Sequence, residues 1–174
     1  MTAATAIEIR RATADDAAVV ALLNRHVQAL HAAAWPAIFK PPADGDGRAA
    51  AFAALLADPD AAIFIAEVGG APAGYVYARV ERRPDNPFSY AGETLFVEHI
   101  SVEPAYQRRG LGERLLGEAV ALAREAGIPR VALAVWSFND RARRFFAAQG
   151  FTAWQERLYL DTAMSWQSGV GSRK

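Results

Sequence analysis

The sequence predicts a mixed α/β fold, and three observations carry that expectation. Strand-like apolar runs recur along the chain, and segments with helical apolar spacing lie between them. After residue 94 a strand, a long helix and another strand follow one another as a crossover unit. The 174 residues are the length of one domain. We take residues 1–164 as that domain and the polar, Gly/Ser-rich stretch 165–174 as a flexible tail.

Ile7-Glu8-Ile9-Arg10 alternates apolar and polar residues, the pattern of a short strand. Thr13 is placed to cap a helix, with Asp15 and Asp16 favourable in its first turn. Val19, Leu22, Leu23, Val27 and Leu30 follow at helical spacing. Pro36, Pro41, Pro42, Gly45 and Gly47 make residues 34–47 a loop. A second helix fits Arg48 to Ala57, stopped by Asp58-Pro59. Two strands come next, Ala62 to Val68 and Gly74 to Arg82, with Gly69-Gly70-Ala71-Pro72 as their hairpin turn.

Thr94 to Val102 is a further strand, ended by Glu103-Pro104. Leu111 to Ala126 is the strongest helix, with the apolar stripe Leu111, Leu115, Leu116, Ala119, Val120, Leu122 and Ala123, and Gly127 at its C-terminal cap. Val131 to Trp136 is nearly all apolar, as a strand buried on both faces would be. Asn139 to Gln149 is helical and closed by Gly150, and Phe151 to Leu160 reads as a last strand or a pair of short ones.

The formal net charge is zero, which argues against nucleic-acid and membrane-surface partners. The chain has no cysteine, so disulfides, thiolate metal sites and a cysteine nucleophile are excluded. No apolar run approaches the roughly 20 residues that span a bilayer. Met1 to Arg11 lacks the basic-then-apolar order of a signal peptide, and a cytoplasmic location follows by elimination. His26 and His31 are five apart, a poor spacing for one helix face, and read as structural; no metal is expected. Ser101 has no G-x-S-x-G around it, which speaks against a serine hydrolase.

The informative stretch runs from Val97 to Gly112: a strand, a turn, then two glycines opening the strong helix. The first backbone N–H groups of a helix lack internal partners, and the helix dipole adds positive potential there. A glycine-rich approach lets a phosphate come close to those donors. Gln107 to Gly112 thus reads as a pyrophosphate cradle, with Arg108 and Arg109 adding charge beside it. There is no G-x-x-x-x-G-K-[ST] run and no G-x-G-x-x-G opening a helix after an early strand, so neither a P-loop nor a dinucleotide fold is expected.

The run Q-R-R-G-L-G, preceded by I-S-V-E-P-A-Y, resembles the acetyl-CoA motif of the GNAT superfamily of N-acetyltransferases, Q/R-x-x-G-x-G/A after a strand ending in V-x-P. Asn139, Ala142, Phe145, Phe146, Gly150 and Phe151 resemble the family's N-x-x-A-x-x-(F/L)-Y-x-x-x-G-F signature. The resemblance covers about Ile7 to Leu160. It implies a central, mostly antiparallel sheet flanked by helices, and acetyl transfer from acetyl-CoA, without metal, to an amine of unidentified small-molecule or peptide acceptors by direct attack. It also implies a homodimer, and the apolar edge of the last strand would need such cover.

Position by position, the resemblance implies that the backbone of Ile100, Ser101 and Val102 lines the acetyl and pantetheine arm. Gln107 stands at the start of the motif. The N–H groups of Arg108, Arg109, Gly110, Leu111, Gly112 and Glu113 would hold the pyrophosphate, and Asn139 would bond the arm. The strands ending near Val102 and Trp136 would splay to admit the cosubstrate. Trp35, Phe39 and Lys40 fall in the loop that forms one wall of the family's acceptor site.

One position departs from the pattern. Phe146 stands where the family often has a tyrosine that protonates the leaving thiolate, and phenylalanine cannot do this. A thiol with a pKa of about 8.5 leaves reasonably well as thiolate near neutral pH, and Tyr106, Tyr159 or water are open substitutes. The departure keeps a second reading alive, a non-catalytic acetyl-CoA-binding module. An amine with a pKa near 10.4 must also lose a proton before it attacks, and Glu98 and His99 are the candidate bases. Glu98 matches a position where some family members carry a carboxylate, while His99 has the better intrinsic pKa. On a regular strand the two alternate, so at most one would face a given side.

Overall fold

The computed structural model describes residues 6–160. Strand β1 (Ile7–Arg11) pairs antiparallel with β2 (Ala61–Val68), β2 with β3 (Ala71–Arg83), and β3 with β4 (Gly92–Val102). β5 (Val131–Leu133) joins β4 in parallel, and the sheet order is β1-β2-β3-β4-β5. The mostly antiparallel sheet is thus as expected. The β2–β3 turn is tighter than expected and consists of Gly69 and Gly70 at φ 60° and 78°. A two-residue turn with positive φ at both positions matches the twist of its strands. Ala71 and Pro72 already belong to β3, and the register slips beside Pro72, between Ala66 and Glu67, where a missing N–H is tolerated.

Helix α1 (Ala17–Ala34) is entered through a 3-10 turn, Ala14–Asp16. The Thr13 N–H donates to Asp16 at 2.7 Å, and Arg10 donates to both carboxylate oxygens of Asp16 at 2.8 and 2.7 Å and to Glu67 at 2.8 Å. Asp16 is buried, so its charge depends on these partners. The Arg10 guanidinium holds its carboxyl well below the usual carboxylate range. A depressed pKa stabilises the fold above the unfolded value, about pH 4, and that contribution is lost as pH falls towards the folded value. Asp16→Asn is expected to cost about 2 kcal/mol and several degrees of melting temperature at pH 7. The deficit should shrink in calorimetric scans taken well below pH 4.

Helices α1 and α2 (Arg48–Ala57) cover one face of the sheet. Val20, Leu23 and Phe52 pack there on Ile63, Ile65, Tyr75 and Tyr77. Leu22 and Leu30, expected on the buried stripe of α1, are exposed; Asn24 is buried instead. Helix α3 (Leu111–Glu125) covers the other face, burying Leu111, Leu115, Leu116, Ala119 and Ala123, with Val120 and Leu122 half-buried. It closes through Gly127 with Ile128 N–H on the Ala123 carbonyl at 2.8 Å, a Schellman-type ending.

The chain divides into two compact units, Met1–Asn139 and Asp140–Lys174. The first holds the sheet and α1 to α3. The second holds α4 (Asp140–Ala148), where Phe146 lies 5.1 Å from Phe145 and 5.7 Å from Phe151 between ring centroids.

Two expected strands change. The run Val131 to Trp136 is a strand only over Val131–Leu133, half-buried rather than buried on both faces, because its partner leaves the pairing direction after Val97. Residues 151–160 form no strand; apolar alternation there meets no partner ladder among the described residues, and Trp154, Leu158 and Leu160 are exposed. The edge argument for a homodimer therefore loses its strand. The expected tail, 165–174, lies outside the described residues.

Candidate functional site

The site is built where β4 and β5 part. Their ladder pairs Leu95, Phe96 and Val97 with Val131, Ala132 and Leu133 and goes no further. β4 continues through Val102, paired only with β3. Glu98 has no partner on β3: His99 faces Tyr77 and Val97 faces Ala78, which makes Glu98 the extra residue of a β-bulge. A bulge bends its strand and sharpens its twist, so the end of β4 turns away from β5. Along Glu98 to Val102 the β5-side edge of β4 has no strand partner among the described residues, and unpaired strand edges invite an extended ligand. Ile100 and Val102 are half-buried here and Ser101 is buried.

The bulge also corrects the expectation that Glu98 and His99 face opposite ways. His99 pairs with Tyr77, and Glu98 is one step from Val97, which lies on the α3 face. Both side chains therefore lie on the α1/α2 face. Burial pushes the Glu98 carboxyl above its usual range, and nearby Arg79 opposes that shift. Burial pulls His99 down to about 4, helped by His31, which removes the pKa advantage the sequence gives to histidine.

Two residues that sequence reasoning missed support His99. The Asn24 Nδ2 donates to the Tyr75 hydroxyl at 2.8 Å, and that hydroxyl lies 3.2 Å from His99 Nδ1. Tyr75 is fully buried, and burial pushes its phenol well above the usual range. Assigning the phenol hydrogen to Nδ1 puts the proton of neutral His99 on Nε2. In that tautomer His99 donates from Nε2 and is poorly set to accept a proton. Nothing local in the sequence signals this chain, whose members come from α1, β3 and β4.

The cradle follows directly from the end of β4. A 3-10 turn, Pro104–Tyr106, leads to Gln107, whose Nε2 donates to the Val102 carbonyl at 2.8 Å. Arg108 and Gly110 both take left-handed φ, 60° and 80°. Arg114 N–H bonds the Gly110 carbonyl at 3.1 Å as the helix begins, which leaves the N–H groups of Leu111, Gly112 and Glu113 outside the helical ladder. Successive turned N–H groups at a helix start form an anion-binding concavity. A Cβ on Gly110 would point into open space, so the cradle is open at that point. The Arg109 guanidinium lies 5.6 Å from the Tyr106 ring centroid. α3, which begins at the cradle, covers one face of the sheet, and Glu98 and His99 lie on the other.

Asn139 ends the first compact unit, its N–H on the Trp136 carbonyl at 2.9 Å, and Phe146 belongs to the second. Among the described residues no group of three or more His, Asp or Glu side chains is placed to hold a metal ion, and no helix is long and apolar enough to cross a membrane.

The family model described as Acetyltransferase (GNAT) family matches residues 25–151. The N-alpha-acetyltransferase RimI of Mycobacterium tuberculosis is 41% identical over 103 residues, 59% of each chain. The chain spans 60% or less of the length of these curated relatives. Among solved structures, a tetramutant of the BH1408 protein of Bacillus halodurans superposes with a TM-score of 0.83 at 20% identity, covering 88% of this chain and 99% of that one. The aminoglycoside N-acetyltransferase AAC(6')-Iy in complex with CoA superposes with a TM-score of 0.74 at 18% identity, covering 94% and 99%.

Proposed function

Because this chain belongs to the GNAT acetyltransferase family, we propose that it transfers the acetyl group of acetyl-CoA to an amine by direct attack, as one domain over residues 1–164. The observation that carries this reading is the opened β4–β5 pair beside the cradle at the start of α3. The N–H groups of Arg108 to Glu113 take the pyrophosphate, and the open edge of β4 at Ile100 to Val102 takes the pantetheine arm. Asn139 bonds that arm.

The thioester then lies in the opening, with the amine arriving from the α1/α2 side. The amine nitrogen forms a bond to the acetyl carbon, the carbon–sulfur bond breaks, and the proton passes to Glu98, directly or through water. A strand N–H near Ile100 to Val102 stabilises the developing oxyanion. The sulfur leaves as thiolate without a phenol from position 146. His99 donates a hydrogen bond from Nε2 rather than taking the proton. Since acetyl-CoA is an intracellular metabolite, we place the reaction in the cytoplasm.

Phe146 favours a second reading, a module that binds acetyl-CoA without turnover. Thiol release from acetyl-CoA against a panel of amines separates the two: the enzyme releases thiol only when an amine is present, whereas the module binds and releases none. We extend the proposal to a homodimer, in which a second copy covers the exposed Trp154, Leu158 and Leu160. A dimer mass is expected in light scattering, and a monomer mass at working concentration overturns that extension.

A further inference from the structure

Five rings meet on the α1 side of the β4–β5 opening. His31, near the end of α1, lies 5.0 Å from Phe39 and 6.3 Å from Trp136 between centroids. Phe39 meets Trp136 edge-on at 5.2 Å, Trp35 lies 6.3 Å from Trp136, and Phe138 stacks on Trp136 at 6.2 Å. Val97 and Leu133 are the last residues that β4 and β5 pair with each other; His99 lies two residues further along β4, and Trp136 three residues past the end of β5. Both therefore stand at the mouth of the opening, and His31 is close enough to His99 to depress its pKa. Trp136 is 37% exposed and Phe138 38%, so the cluster is a wall rather than a sealed core.

The charge of this wall narrows what it takes. Residues 31–40 and 134–139, which carry the rings, contain no aspartate or glutamate and a single lysine, Lys40. Burial lowers the pKa of His31, so the imidazole adds no positive charge near neutral pH. Aromatic faces attract one alkylammonium and cover a flat apolar body. Each further ammonium of a polycation would lose water here without gaining a carboxylate, which is costly. Glu98 is the one carboxylate that β4 brings to this mouth.

We propose that the acceptor is a monoamine carried on a flat, apolar body, of the arylalkylamine type, seated against Trp35, Phe39 and Trp136 with its nitrogen towards Glu98. This rests on the acetyltransferase reading. Partial burial of the amine against the rings disfavours its charged form, which helps the proton leave before attack.

The test follows thiol release from acetyl-CoA with tryptamine, 2-phenylethylamine, spermidine and kanamycin on the full chain. The two arylalkylamines are expected to give kcat/KM at least roughly tenfold above the two polycations. Phe39→Leu keeps apolar volume but removes a ring face. It should raise KM for tryptamine several-fold, up to roughly tenfold, with the KM for acetyl-CoA unchanged. Trp35→Leu is the second variant, read the same way, should the first fail to fold. A preference for spermidine or kanamycin overturns the inference and leaves the acetyltransferase reading standing. So does a tryptamine KM that neither variant moves. Absence of thiol release with every amine, while acetyl-CoA still binds, overturns both.

Discussion

Glu98→Gln is expected to lower turnover by roughly 100-fold or more, the usual range for losing a positioned acid or base. Acetyl-CoA affinity should stay nearly unchanged, because the proposed binding uses backbone groups rather than Glu98. The pH profile of turnover divided by enzyme concentration carries the sharper test. Burial raises the Glu98 carboxyl above its ordinary value, so wild-type activity should fall as pH drops through that raised pKa. The glutamine variant should lose that limb and run at a low plateau. Two profiles with the same ascending limb and plateau remove Glu98 as base. His99→Gln should do less, since burial pulls His99 down to about 4 and its Nδ1 lies 3.2 Å from the Tyr75 hydroxyl.

Gly110→Val is expected to weaken acetyl-CoA binding by roughly 10- to 100-fold. Gly110 sits at φ 80° at the entry to α3, and a β-branched residue there is strained by about 1–3 kcal/mol. Relieving that strain rotates the N–H groups that would hold the pyrophosphate, and the new side chain fills open space beside the turn. Thermal unfolding of the variant, which measures the cost to the fold, is read beside calorimetry with acetyl-CoA. A folded variant with wild-type affinity removes the pyrophosphate from this turn.

Local chemistry made most of the frame legible in advance. The helices around Leu111–Glu125 and Arg48–Ala57 were readable from apolar spacing and their stop signals. The β2–β3 hairpin was readable from paired glycines, and the turn into α3 from two glycines opening a helix after a strand. These features depend on residues close in sequence, whose side chains and φ preferences act within one or two turns of chain.

The same local reasoning failed where a residue's state depends on a distant partner. Phe151 to Leu160 has the apolar content of a strand, but a strand exists only where another strand accepts its hydrogen bonds. Val131 to Trp136 keeps three paired residues because β4 departs from it after Val97.

By itself, then, the sequence determined most of the elements, the glycine turn that opens α3, the resemblance to one family and the two candidate bases. Only the tertiary structure decided the surroundings of those two candidates. The bulge at Glu98 turns both side chains to the same face, and packing of α1 and β3 brings Asn24 and Tyr75 onto His99. A bulge is a mismatch between two strands, and a buried hydrogen-bond chain is a meeting of three elements. Neither has a signature in any one segment, because both are properties of the pairing and not of the residues paired.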